Sequence, residues 1–139
     1  TDYVRFSFAA SRDNIQNRLD GACARYLNYR KKFKTIPDAL FVNGHTEAQM
    51  IPHIKYKDKT IVFAADLLPS TGHIPLPYVM GYDTKPLITL TEKEKFLNEA
   101  ADREYIIFLQ HDNYNECCTV QQTEKGVRLK DTFSLSEIL

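Results

Sequence analysis

His45, Asp66 and His111 are the residues of this chain best placed to do chemistry together. Each stands just past an apolar, strand-like run: His45 after ALFVNG, Asp66 after TIVFAA and His111 after YIIFLQ. Imidazole nitrogen and carboxylate oxygen are donors that zinc and iron accept in hydrolytic sites. The ends of strands in one sheet can gather such residues however far apart they lie in sequence. Each of the three also has a plainer use, since Asp66 can cap a turn and each histidine can satisfy loop backbone. His73, in the loop after Asp66, can reach the same pocket as a catalytic or substrate-binding group, or serve only its loop. His53 lies inside a strand and reads as structural. Asp112, beside His111, reads as a residue that orients a neighbour by hydrogen bonding.

The elements that must position these residues follow from periodicity. YVRFSFA alternates as a half-buried strand, and Ser11 can cap a helix running to about Phe33 with Ile15, Leu19, Ala22 and Tyr26 on one face. The basic run YRKKFK suits the negative end of that helix and reads as a solvated face. Pro37-Asp38 ends the pattern, and ALFVN gives a second strand. MIPHIKY and TIVFAAD flank KDK as a hairpin, the second arm apolar enough to be central in a sheet. A long aperiodic loop follows, LLPSTGHIPLPYVMGYDTKP. Loops of this kind after a central strand are where function often sits. TEKEKFLNEAADR then reads as a helix started by a Thr91–Glu94 capping box, burying Phe96, Leu97, Ala100 and Ala101. YIIFLQ is a further buried strand, and CCTVQQT with VRLKD forms a closing hairpin across Glu124-Lys125-Gly126.

The 139 residues suit a single domain, 1–139, with one core. Eighteen basic residues balance eighteen acidic ones, so no global field favours nucleic acid or an anionic membrane. No apolar run approaches a membrane span, and the N-terminus lacks a signal-peptide layout. The chain begins at Thr1 without an initiator Met, as a processed or partial chain would. Cys23, Cys117 and Cys118 make a poor disulfide framework and fit a reducing, cytoplasmic setting.

From Gly44 onward, roughly two-thirds of the chain, the sequence resembles the C-terminal half of the metallo-β-lactamase fold superfamily. GHTEAQM resembles its Gly-His-Thr metal motif, TIVFAADLLPS the strand ending in its bridging Asp, and IIFLQHDN the strand ending in its final His. The resemblance implies an α/β fold: half of an αββα sandwich, a mixed sheet with flanking helices. It also implies a dinuclear centre, usually of two zinc ions, with iron or manganese as alternatives. His45 would ligate the first metal, Asp66 would bridge both and take part in catalysis, and His111 would ligate the second. Such a centre activates water near neutral pH and polarises a scissile carbonyl or phosphoryl group. The expected function is hydrolysis of a small-molecule ester, lactone, lactam or phosphoester.

The family's His-x-His-x-Asp-His signature is absent, because the four histidines stand at 45, 53, 73 and 111. This chain would offer each metal one histidine and a shared aspartate, where catalytic zinc normally has three protein ligands. YVRFSFAASRDNIQNRLD instead is similar to the last strand and helix of fold-type I pyridoxal-phosphate aminotransferases, with Arg5 placed as a substrate-carboxylate ligand. A seam near Lys32–Asp38 between that unit and the metallo-hydrolase-like part accounts for both resemblances, as in a truncated, recombined or designed sequence. Without its other half the sheet would expose an apolar face, so self-association or a covering partner segment is expected. The rival expectations are a non-catalytic globular or interaction domain with remnant motifs, and a single-metal binding protein using His45, Asp66, His111 and His73.

Overall fold

The computed structural model describes residues 38–138. The strand and helix expected before residue 34, together with Arg5, Cys23 and nearly all of the seam region, lie outside the described residues. Six strands form one sheet in sequence order: β1 (Asp38–Val42), β2 (Gln49–Tyr56), β3 (Lys59–Phe63), β4 (Ile106–Phe108), β5 (Cys117–Gln121) and β6 (Arg128–Phe133). Every neighbouring pair is antiparallel except β3 and β4, which run parallel. The long crossover between those two contains α1 (Pro86–Asp102). The expected mixed α/β architecture is therefore present.

Antiparallel register places Ile54 opposite Ile61, and the parallel pair places Ile61 beside Ile106 and Val62 beside Ile107. Successive side chains alternate faces. Val62 and Ile107 therefore join the core beneath α1, with Phe96, Leu97 and Ala100 from the helix. Ile61, Ile106 and Cys117 are buried on the opposite face, where Phe133, Leu135 and Ile138 pack over them. Removing a side chain such as Phe96 from water contributes roughly 2–3 kcal/mol. That second cover is partial: Met50 and Ile54, on the Ile61 side of the sheet, remain 41% and 43% exposed.

α1 starts five residues before the expected capping box. Pro86 occupies its first turn, where a missing N–H costs nothing. Thr91 is interior, its hydroxyl donating to the Leu87 carbonyl at 3.2 Å. The buried stripe begins with Thr89 and Lys93, two polar residues that hide the helical pattern of the first turns. At the other end Glu104 takes a left-handed conformation (φ 52°) without glycine, and Tyr105 N–H returns to the Ala100 carbonyl at 2.9 Å.

The vicinal thiols of β5 are fully buried. Burial, reinforced by nearby negative charge, pushes Cys117 up to about 11 and Cys118 up to about 12. Both are therefore protonated and unreactive at neutral pH. Among the described residues no helix is long and apolar enough to cross a membrane.

Candidate metal centre

Because β3 and β4 are parallel, their C-terminal ends emerge on the same edge of the sheet. The Ala64 N–H carries the ladder one step further, to the Phe108 carbonyl at 3.2 Å. Ala65 then turns the chain with φ 46°, a left-handed conformation that costs an alanine about 1 kcal/mol, immediately before Asp66. On the β4 side the His111 N–H donates to the Pro69 carbonyl at 3.1 Å. Asp112 locks the two loops together. One of its oxygens accepts from Thr71 N–H and Oγ1 at 2.9 and 2.7 Å. The other accepts from Tyr114 N–H and from both nitrogens of Asn115, at 3.0 to 3.1 Å. Burial would push Asp112 up, but these hydrogen bonds outweigh it and hold the carboxyl well below the usual carboxylate range. The expected orienting role of Asp112 thus falls on a loop rather than on a metal ligand.

His45 arrives from β1 by a different route. Glu92 on α1 accepts from Asn43 N–H at 2.8 Å and Gly44 N–H at 2.9 Å. Lys85 N–H and the Thr84 hydroxyl donate to the Gly44 carbonyl at 2.9 and 3.0 Å. Gly44 lies directly against the helix, so that a Cβ there would meet Thr89 Oγ1 at 2.3 Å. His45 then meets Asp83, whose Oδ1 lies 2.8 Å from His45 Nδ1. The Asp83 side chain is 1% exposed. A carboxylate oxygen accepts, so Nδ1 is the donor of this pair and Nε2 is directed away from Asp83. That nitrogen faces Asp66 Oδ2 at 3.6 Å.

The three expected ligands therefore meet, through Asp66. His45 Nε2 approaches Oδ2, and His111 Nε2 lies 3.0 Å from Oδ1. One carboxylate with a histidine on each oxygen has the connectivity of a bridging ligand. Exposure rises across the site, from 11% at His45 through 29% at Asp66 to 50% at His111, so it opens toward His111. Tyr82 sets its ring edge on His45 with centroids 5.9 Å apart.

The donors fit a metal in kind and in part in geometry. Two ligands on one tetrahedral zinc lie about 3.4 Å apart, given bonds of about 2.0–2.1 Å. The His45–Asp66 separation is close to that, whereas His111 and Asp66 stand at direct hydrogen-bond distance. The set is also short of donors. Among the described residues no three His, Cys, Asp or Glu side chains are grouped closely enough to hold one metal ion by themselves.

His73 makes its side-chain hydrogen bond within its own loop. Its Nδ1 pairs with Ser70 Oγ at 2.8 Å, and burial, then the charge of Lys93, lowers its pKa against a smaller opposing effect from Asp83. His53 is structural, its Nδ1 donating to the Ile51 carbonyl at 2.9 Å and its ring edge-on to Tyr105. Asp83, Glu92 and Lys93 escaped the sequence reading. Asp83 and Lys93 act on an aperiodic loop, and Glu92 looks like any solvent-facing helix carboxylate.

This sheet and helix constitute part of the metallo-β-lactamase fold. Among solved structures, the chain is similar to AidC, a dizinc quorum-quenching lactonase, with a TM-score of 0.64 and 21% identity over 73% of this chain and 35% of that one. It is similar to the hydrolase AbOPH of the beta lactamase superfamily at TM-score 0.63 and 17% identity, with the same coverages. A probable metal-dependent hydrolase from Staphylococcus aureus gives 0.56 and 22%, over 68% of this chain and 35% of that one. The chain thus spans about a third of the length of these structures. No family model and no curated protein matches it.

Proposed function

We propose that this chain carries one share of the metal centre of a metal-dependent hydrolase of the metallo-β-lactamase superfamily. The observation that supports this most is the approach of His45 and His111 to opposite oxygens of Asp66. His45 and Asp66 would hold one ion, and Asp66 and His111 the second. The bound metal, zinc by analogy with the dizinc neighbour, supplies water activation near neutral pH and polarisation of a scissile carbonyl or phosphoryl group. The chain's own residues do the rest. Asp83 fixes the His45 tautomer and presents Nε2 to the site. The Asp66 carboxylate offsets cationic charge, and half-exposed His111 lies on the side open to a small-molecule ester, lactone, lactam or phosphoester. His73 serves its loop through Ser70 and is not assigned to the reacting atoms. The remaining ligands come from outside the described residues.

Metal analysis tests this reading. The purified chain, titrated with zinc by calorimetry, should bind it weakly, as a site with two protein donors per ion does. His45→Ala and His111→Ala should each lose this binding, and Asp83→Asn should bind roughly 10–100-fold more weakly while staying folded. No measurable binding of zinc, iron or manganese in such titrations would favour the rival, a non-catalytic domain that keeps the motifs as remnants.

On the same reading the partly exposed sheet face bearing Met50 and Ile54 is covered by a further segment or a second copy. Sedimentation velocity should show concentration-dependent association that Ile54→Lys weakens. A strictly monomeric wild-type chain at high concentration would remove the second copy from consideration.

A further inference from the structure

Lys93 is the one charged residue among the buried side chains of α1, at 1% exposure. Its neighbours on the buried stripe include Phe96, Leu97 and Ala100, so an aliphatic residue would suit the position without the cost of taking a charge out of water. The ammonium instead faces the long loop after β3. Its Nζ donates to the carbonyls of Tyr78 at 2.6 Å, His73 at 3.0 Å and Pro75 at 3.3 Å. Three donors meet three acceptors, which is the full capacity of the group. Tyr78 N–H donates in turn to the Pro75 carbonyl at 3.1 Å, and Asp83 N–H to the Met80 carbonyl at 3.1 Å. Two turns thus connect the carbonyls that Lys93 gathers to the carboxylate that holds His45.

We propose that Lys93 is a positioning residue, whose buried ammonium gathers the His73, Pro75 and Tyr78 carbonyls and so fixes the loop that sets Asp83 on His45. The Asp83 side chain is buried with one oxygen on His45 and the other, Oδ2, without a hydrogen-bond partner among the described residues. Nothing in its own hydrogen bonding besides His45 keeps that carboxylate in place, so its position depends on the loop backbone. Burial lowers the Lys93 pKa to about 8, and the charge of Asp83 opposes the fall. The ammonium form therefore still predominates at pH 7, and the two charges stabilise each other behind the site. The geometry of the clamp is independent of any metal, and the hydrolase reading supplies only the purpose of holding His45.

Lys93→Met keeps the length of the side chain and removes its donors. In ion-free protein, hydrogen exchange of amides between Ile74 and Thr84 should accelerate about tenfold or more, as expected when a hydrogen bond restraining the segment is lost. The β5–β6 hairpin should exchange as before. The Nδ1 proton of His45, protected in wild type by Asp83, should broaden or disappear from the NMR spectrum. A folded Lys93→Met chain with unchanged loop exchange and an unchanged His45 signal would overturn the proposal. Should the variant not fold, the wild-type protein still decides. A Lys93 ammonium held by three carbonyls gives a slowly exchanging 15N–1H cross-peak near pH 6, and a solvent-averaged ammonium contradicts the clamp. Zinc binding is scored separately, so loop loosening in a chain that binds no metal would retain Lys93's role and discard the hydrolase reading.

Discussion

Gly44→Ala should cost about 3 kcal/mol or more in urea unfolding, or prevent folding outright. The reason is proximity rather than backbone conformation. An added Cβ would lie 2.3 Å from Thr89 Oγ1, 2.4 Å from Thr89 N and 2.5 Å from Thr89 Cα. Two of these atoms are helix backbone and cannot rotate away, so either β1 or α1 must move. Any movement also breaks the pair of N–H bonds that Glu92 accepts from Asn43 and Gly44. His45 is the next residue, and its distances to Asp83 and Asp66 change with the shift. Loss of zinc binding should therefore accompany loss of stability. Wild-type stability in Gly44→Ala would show that the loop and helix do not approach this closely.

The second large effect is at Asp112. Both of its oxygens are occupied, by Thr71 on one side and by Tyr114 and Asn115 on the other. Asp112→Asn places an NH2 group where one of those oxygens accepts, leaving donors unmatched, at an expected cost of about 2–3 kcal/mol. The pH dependence has a definite sign. The folded carboxyl is held below its ordinary value of 3.8, so its contribution is complete above that value and disappears as the pH falls below it. The stability difference between wild type and Asp112→Asn should be level near neutrality and shrink in acid below that point. A difference that persists undiminished at pH 3 would show that Asp112 is not held as a carboxylate.

How far the sequence revealed this structure depended on which contacts have a local pattern. The strand ends behind His45, Asp66 and His111 were legible because each follows a short apolar, strand-like run, and the sheet brings those ends together. The β2–β3 hairpin and the β5–β6 hairpin were legible from their turns, KDK and Glu124-Lys125-Gly126. The start of α1 was not, because Thr89 and Lys93 face inward and Thr91–Glu94 imitates a capping box. Asp83 was invisible as well, since its partner lies 38 positions earlier in sequence and its loop has no repeat. His73 was legible only by its place in the loop after Asp66, and the contact that its ring makes with Ser70 has no sequence pattern. Residue type nominated candidates, and only long-range geometry sorted them.

The parallel pairing of β3 and β4 also determines when the site comes into being. β1, β2 and β3 form a meander whose contacts are local, and β5–β6 is a hairpin, so both can form early. Docking β4 beside β3 closes the whole crossover from Phe63 to Ile106 and carries the largest loop-closure entropy in the sheet. Asp66 and His111 become neighbours only at that step. A ligand that needs both recognises the completed topology alone and, by mass action, shifts the folding equilibrium toward it. Occupancy of the centre would therefore report that the longest-range strand pairing among the described residues has been made.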